Sequence, residues 1–420
     1  MASSKRRRRV VVTAMGCLNA FGYGIERTWS ALRQGHSAIA PITRFDVTEF
    51  RTKVAAEISE EQMLLLPLEH EVVHLSRNAQ FSVAAAAELI HAQHWDHDWP
   101  RSAIGICLGS GLGGMYVSEE ALAALQRTGP RGVSPLTVPY VDPNAIVSRV
   151  AAMWGLKGPQ LTVSTACSSS AHAIGTAMDM IRSGRCDAVL TGGVEATMSP
   201  LIYSGFDRLR AMSTRNAMPD TACRPFSDDR DGFVMGEGAA MFLLEEASCA
   251  LSRGARIYAE LMGYGASGGA YHQVAPLPDG SDLVMAMRKA LEDANIQPHE
   301  VDLINPHGTG TRLNDEAELR ALRIVFQQAL DEIFLTPTKQ LTGHLLGASG
   351  ALESLHVIKS IQESIITPRA TFCFSLIAVP KGYICHCHMV EIQVVFQFWC
   401  CPAVSLAHVQ RRVLSFATQV

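Results

Sequence analysis

Apolar residues along this chain come in short runs set between stretches of small and polar residues. Val10–Ala14, Ala103–Leu108, Leu161–Val163, Asp187–Gly193, Ala239–Glu245, Ile257–Gly265 and Val301–Asn305 are rich in β-branched or aliphatic residues, each with Gly, Asp, Asn or Pro within two residues of at least one end. Runs of that length and bounding read as buried strands. Between them, Ile25–Gly35, Ser76–His94 and Ser281–Ala294 have helical periodicity, the second with an Ala-rich face. Met15–Gly24 reads as a Gly-rich turn, and Arg44–Glu57 as loop with an edge strand. Asp315 and Glu318 stand in the D-x-x-E spacing of a capping box for the helix that follows. Strands alternating with helices predict an α/β fold.

One plan is used twice. Gln160–Gly175 and Thr338–Glu353 each run from a short strand through small residues to a reactive side chain and then an Ala/Gly-rich helix, opened by Cys167 in one case and His344 in the other. Ile104–Gly114 and Leu303–Thr311 share a strand-to-Gly-loop plan. The duplication argues for two similar α/β halves packed together.

With 420 residues, 48% hydrophobic and 18% charged, the chain can bury a large core. A net charge of −4 gives no global case for nucleic-acid binding. The 11 cysteines are scattered and odd in number, which points to free thiols in a reducing compartment. Arg6–Arg9 close a basic tail, residues 1–9, that passes directly into the first strand. No apolar run approaches the ~18 residues needed to cross a bilayer. His91, His94 and His97 lack a Cys or Glu to complete a metal set and read as a polar helix end. Gly109-Ser-Gly-Leu-Gly-Gly114 misses the G-x-G-x-x-G spacing of a dinucleotide site and reads as a turn lining a pocket.

Four positions carry chemistry. A Cys at a helix N-terminus faces free N–H groups and the positive end of the dipole, which favours thiolate, so Cys167 is a candidate nucleophile. His307, Lys339 and His344 each sit where a strand feeds a loop or helix of small residues. One Cys with one His suggests a hydrolase-like pair. One Cys with two histidines and a lysine suggests a covalent thioester whose partner substrate develops negative charge on oxygen, held by two imidazole N–H donors.

At these residues the chain resembles the elongating β-ketoacyl-[acyl carrier protein] synthases. The motifs are Thr165-Ala-Cys-Ser-Ser169, Asn305-Pro-His-Gly-Thr-Gly-Thr311 and Lys339-Gln-Leu-Thr-Gly-His-Leu-Leu-Gly-Ala-Ser-Gly350, supported by Arg224-Pro-Phe226, Asp231-Gly-Phe-Val-Met-Gly-Glu-Gly238 and Tyr258-Ala-Glu-Leu-Met-Gly-Tyr264. The likeness runs from about Val10 to about Phe372. It implies a thiolase-like fold of two duplicated αβαβα halves, residues 10–256 and 257–372, in a homodimer in the cytoplasm or an organelle lumen. It implies an acyltransferase that carries out decarboxylative condensation of an acyl group on Cys167 with malonyl-[acyl carrier protein], extending a fatty acid by two carbons without cofactor or metal. His307 and His344 would stabilise the enolate, and Lys339, Asp315 and Glu353 would support them. Leu112 and Phe206 would line the acyl pocket, Thr309 and Thr311 would contact substrate, and Arg210 and Arg131 would meet the acidic carrier protein. The Cys-His-His set separates this subclass from the Cys-His-Asn initiating one, and a thiolase is disfavoured because its second catalytic cysteine is lacking.

Residues 373–420 depart from the family. After residue 370 there is one glycine, Gly382, no Asp, and five cysteines: Cys373, Cys385, Cys387, Cys400 and Cys401. The shift suggests a changed reading frame or altered splice. The spacing of Cys385-His-Cys-His388 is not that of a zinc finger. Loss of the late Gly-rich loop removes one expected oxyanion donor, and loss of the closing strand is expected to expose sheet edges. Those losses predict impaired activity, with a non-catalytic carrier-binding or dimer-partner subunit as the alternative.

Overall fold

The structure, a computed structural model, describes residues 7–68, 72, 74–92, 103–272 and 274–367, together with 396–397 and 413–415. The chain opens with β1 (Val10–Asn19), which is buried along its whole length. The sequence reading ends this strand at Ala14 and takes the next ten residues as a turn. The strand instead continues because Gly16 is a packing glycine: a Cβ there would fall 2.1 Å from the Ala85 carbonyl oxygen. The helix carrying Ala85 therefore lies directly on the strand.

Helices α1 (Ile25–Arg33) and α2 (Arg77–Ala92) follow, then β2 (Ile104–Gly109), α3 (Met115–Thr128), α4 (Ala145–Trp154) and β3 (Gln160–Val163). Next come α5 (Ser169–Arg182), β4 (Ala188–Glu195), α6 (Pro200–Arg208) and β5 (Gly238–Glu246). The C-terminal half supplies β6 (Ala259–Leu261), α7 (Ser281–Ala294), β7 (Leu303–Asn305), α8 (Arg312–Phe326), β8 (Phe334–Leu335), α9 (Lys339–Thr342) and α10 (Ser349–Glu363). Short strands β9 (Phe396–Gln397) and β10 (Val413–Ser415) lie in the segment that departs from the family.

The larger sheet has the order β9-β6-β1-β5-β4-β2-β3, with β2 parallel to both β3 and β4. The smaller is all parallel, β8-β7-β10. The Ala-rich face of α2 packs on one side of the larger sheet, against Leu108, Leu190 and Leu243. On its other side, α5 and α10 form a shared helical layer that also meets Leu303 of β7. Helices α7 and α8 cover the far side of the smaller sheet through Leu291, Leu322 and Phe326. The layers thus run helix, sheet, helix, sheet, helix. No described helix is long and apolar enough to cross a membrane.

Two sequence expectations are corrected here. Asp315 and Glu318 do not cap a helix. Helix α8 starts at Arg312 behind Thr311, so both acids lie inside it and are buried. The sheet edges expected to be exposed are paired: Leu303–Asn305 aligns with Val413–Ser415, and Glu260–Leu261 with Phe396–Gln397. Unpaired backbone on β6 and β7 would otherwise recruit a neighbouring chain. His94, His97 and cysteines 373, 385, 387, 400 and 401 fall outside the described residues, as does the expected loss of the oxyanion loop.

A chain truncated before Phe396 should therefore scatter more light on concentration than the full chain; equal monodispersity of the two would show that β9 and β10 protect nothing.

Candidate active site

Parallel strands β2 and β3 end at one level, Gly109 opposite Val163, and Gly109 also faces Gly193 near the end of β4. Beyond Val163 the backbone makes a tight elbow. Ala166 has φ of 51°, unusual for a residue with a side chain, directly before Cys167. Ser168 and Ser169 hold the bend by donating through their hydroxyls to the carbonyls of Thr165 (2.7 Å) and Ala166 (2.6 Å). Gly109 lets the start of α5 approach, since a Cβ there would lie 2.3 Å from the Ser169 carbonyl carbon. Cys167 keeps intermediate exposure while Ser168 to Ser170 are buried.

His307 lies on the loop after β7. Glu318 accepts from the backbone N–H groups of His307 (2.6 Å) and Gly308 (2.8 Å). Asp315 accepts from those of Phe226 (2.7 Å) and Gly310 (3.2 Å) and pairs with Arg230 (3.4 Å). The loop is thus clamped from beneath by two carboxylates of α8. His344 follows α9 and Gly343, whose φ is 67°. The plan shared with the Cys167 stretch is looser than the sequence suggests. A short helix rather than a strand precedes His344, α10 begins five residues after it at Ser349, and α5 begins two residues after Cys167.

The three side chains converge. His344 Nε2 is 3.1 Å from Cys167 Sγ, and one ligand-type atom from each of Cys167, His307 and His344 lies within 4.8 Å of the others. The two rings sit edge to face, with centroids 5.4 Å apart. Behind them the Lys339 ammonium is buried, ion-paired to Glu353, and donates to the His307 carbonyl (2.6 Å). It also lies 3.4 Å from His307 Nδ1. An ammonium only donates, so Nδ1 accepts and the ring proton sits on Nε2. Ser349 Oγ lies 2.8 Å from His344 Nδ1 and can donate or accept there.

Burial dominates the electrostatics. It pushes both histidines well below their ordinary pKa, and Lys339 pushes the same way, so the imidazoles are neutral. Burial also raises the Cys167 thiol to about 11, opposed by Lys339. The expectation of a resting thiolate is therefore corrected: enclosure outweighs the helix terminus. Burial raises Glu353, Glu318 to about 7 and Asp315 to about 6.

A row of aromatic rings extends away from the histidines. Phe233 packs edge-on against His344 (5.3 Å) and Phe206 edge-on against Phe233 (5.7 Å). Leu112 and Phe206 pack against the same core cluster. Thr309 is buried, its hydroxyl 2.9 Å from that of Thr311. Arg131 and Arg210 are exposed, on segments following α3 and α6. Sequence reasoning missed Ser349, Phe233, and Glu318 as a loop clamp. The signal for Glu318 was present in its spacing from Asp315 but fitted a cap equally well.

A Cys-His-His centre on paired strand-to-loop junctions of a five-layer α/β fold defines a condensing enzyme. Models of the β-ketoacyl synthase N-terminal and C-terminal domains match residues 7–250 and 258–372, and the chain belongs to that family. It is 39% identical over 364 residues, 86% of this chain and 88% of the relative, to 3-oxoacyl-[acyl-carrier-protein] synthase 2 of Vibrio harveyi. The synthase of that name from Staphylococcus aureus is also 39% identical, over 86% of this chain and 87% of its own. Among solved structures, the ishigamide ketosynthase/chain length factor superposes with a TM-score of 0.78 at 32% identity, covering 86% and 88% of the two chains. A type II polyketide ketosynthase, bound to a hexaketide and in complex with its acyl-carrier protein, superposes at 0.79 with 29% identity over the same shares. The protein is thus an acyltransferase of the thiolase-like fold.

Lys339 lowers the Cys167 pKa, so Lys339→Met should raise it further and leave less thiolate at any given pH. Alkylation of Cys167 by iodoacetamide at pH 8 is expected to slow by about 10-fold or more; an unchanged rate would show that the ammonium does not act on the sulfur.

Proposed function

We propose that the chain transfers an acyl group from acyl carrier protein to Cys167 and condenses it with malonyl carrier protein to give a 3-oxoacyl product two carbons longer. The observation that carries this reading is the convergence of one thiol and two neutral imidazoles before a buried Lys339–Glu353 pair. The curated relatives' name, synthase 2, supports the 3-oxoacyl product. In the first half-reaction Cys167 sulfur bonds to the acyl carbon and the carrier thiolate leaves. The thiol proton passes to the departing sulfur through His344 Nε2, with Nδ1–H donating to Ser349. In the second, the malonyl carboxylate leaves as CO2 and its electron pair forms an enolate. The Nε2–H groups of His307 and His344 donate to that oxygen; between the half-reactions His344 gives up its Nδ1 proton and gains one on Nε2 by exchange with solvent, and the Ser349 hydroxyl then donates to Nδ1. Neutral donors aimed at developing charge in an enclosed site stabilise it without reorganisation. The enolate carbon then attacks the thioester, the Cys167–acyl bond breaks, and the thiolate regains a proton from solvent.

Leu112 and Phe206 line the acyl chain's path in this reading, Thr309 and Thr311 face the carrier's arm, and Asp315 and Glu353 hold the histidine site. Arg210 and Arg131 are exposed cations on neighbouring segments, suited to an acidic carrier. In this reading the chain divides into halves 10–256 and 257–372, flanked by the 1–9 tail and the 373–420 segment, a division that the separate N- and C-terminal family matches support.

The sheet edge supports a homodimer. Among the described residues strand β3 is the sheet's last strand, and Leu161 on it is 43% exposed. Asn144, 3.1 Å from the Thr162 hydroxyl, brings the segment carrying exposed Leu136 and Val138 beside that edge. An apolar open edge is satisfied by the same edge of a second copy across a two-fold axis.

His307→Ala should still acylate Cys167 but condense about 10²–10³-fold more slowly; condensation at the parent rate would refute the enolate role. Sedimentation should show a dimer at micromolar concentration and a monomer for Leu161→Lys, whereas a monomeric parent protein would remove the β3 interface.

A further inference from the structure

Glu195, the last residue of β4, is fully buried, and no basic side chain pairs with it among the described residues. Four donors surround it instead. One carboxylate oxygen accepts from Ser110 Oγ (3.0 Å) and the Leu112 N–H (3.1 Å). The other accepts from the Gly111 N–H (2.6 Å) and the Gly347 N–H (2.9 Å). Three of these donors belong to the loop after β2 that carries Leu112. The fourth belongs to the C-terminal half, three residues beyond His344.

The local backbone is shaped around this carboxylate. A Cβ on Gly347 would lie 2.3 Å from the Gly111 nitrogen and 2.5 Å from Glu195 Oε2. One on Gly111 would lie 2.9 Å from the same oxygen and 3.2 Å from the Ala166 carbonyl oxygen, next to Cys167. Leu346, just before Gly347, holds φ of 44°. Two segments therefore meet at one anion, the Leu112 loop and the turn after His344, and the elbow before Cys167 lies close against Gly111 of the first. An amide cannot replace it, because an NH2 would face N–H donors.

We propose that Glu195 is a positioning residue that fixes the Leu112 wall of the acyl pocket and the His344 turn relative to Cys167. The inference rests on the condensing reading above. A burial-raised affinity for protons, to about 7, marks how much the four donors must offset. The anion also raises the Cys167 pKa, which supplies a readout that loose packing does not reproduce.

The test uses the full chain with Glu195→Gln, Gly347→Ala and, as a control buried carboxylate outside the site, Glu237→Gln, which loses its 2.7 Å pair with Arg77. Folding is followed by circular dichroism and thermal midpoint. Glu195→Gln is expected to lower kcat for condensation about 10²-fold. It should also shift the Cys167 alkylation profile to lower pH, read as ~3-fold faster reaction at pH 8. Gly347→Ala keeps the charge while displacing the turn, so it should lower kcat with the profile unmoved; it also serves if Glu195→Gln does not fold. Glu237→Gln should lower the thermal midpoint and leave the profile in place. Parent-level kcat in both Glu195→Gln and Gly347→Ala would overturn the proposal while leaving the condensing reading intact. An absence of condensation by the parent protein would instead count against that reading, and an unmoved alkylation profile in folded Glu195→Gln would overturn the role of the anion independently.

Discussion

The site depends on one buried ammonium. Lys339 has lost its water and holds Glu353, the His307 carbonyl and the acceptor nitrogen of the His307 ring. An isolated buried charge is costly, and pairing with hydrogen bonds offsets the penalty only when the geometry is fixed. The geometry is fixed here because Lys339 belongs to a short buried helix and Glu353 to α10. The consequences spread outward. The ammonium sets the His307 tautomer, adds to the burial that keeps both imidazoles uncharged, and pulls back the thiol that burial pushes up.

Backbone approach is the second constraint. Cys167, His307 and His344 come from separate segments and can meet only where side chains give way to hydrogen atoms. Gly109 admits the start of α5, and Gly193 admits Ser170 and the Gly347 carbonyl. Buried carboxylates then occupy the spaces between loops: Glu318 and Asp315 under the His307 loop, and Glu195 between the two halves. Each accepts backbone N–H groups that a loop buried in protein would otherwise leave unpaired.

Much of this was legible in the sequence because strand runs, small-residue turns and reactive side chains recur in register. Cys167, His307, Lys339 and His344 were identified from their strand-to-loop settings, and the structure brings them together. Other features were not legible for physical reasons. Gly16 resembles a turn residue in sequence, yet it sits within a strand because a helix 69 residues later packs on it. Asp315 and Glu318 have capping-box spacing, and only the fold shows them facing another loop. The resting state of Cys167 depends on enclosure by distant segments, which outweighs the local helix terminus. The pairing of β9 and β10 with β6 and β7 is likewise long-range and leaves no local mark.

The central claim is that Cys167 carries the growing acyl chain and gives it up to a malonyl-derived enolate. Mass spectrometry of the purified full chain, intact and after proteolysis, tests it directly. Incubation with acyl carrier protein bearing an acyl group should add that acyl mass to the peptide containing Cys167, and subsequent malonyl carrier protein should remove it as 3-oxoacyl carrier protein is formed. An adduct on another residue, or an acyl-Cys167 that persists unchanged after malonyl carrier protein is added, would contradict the account.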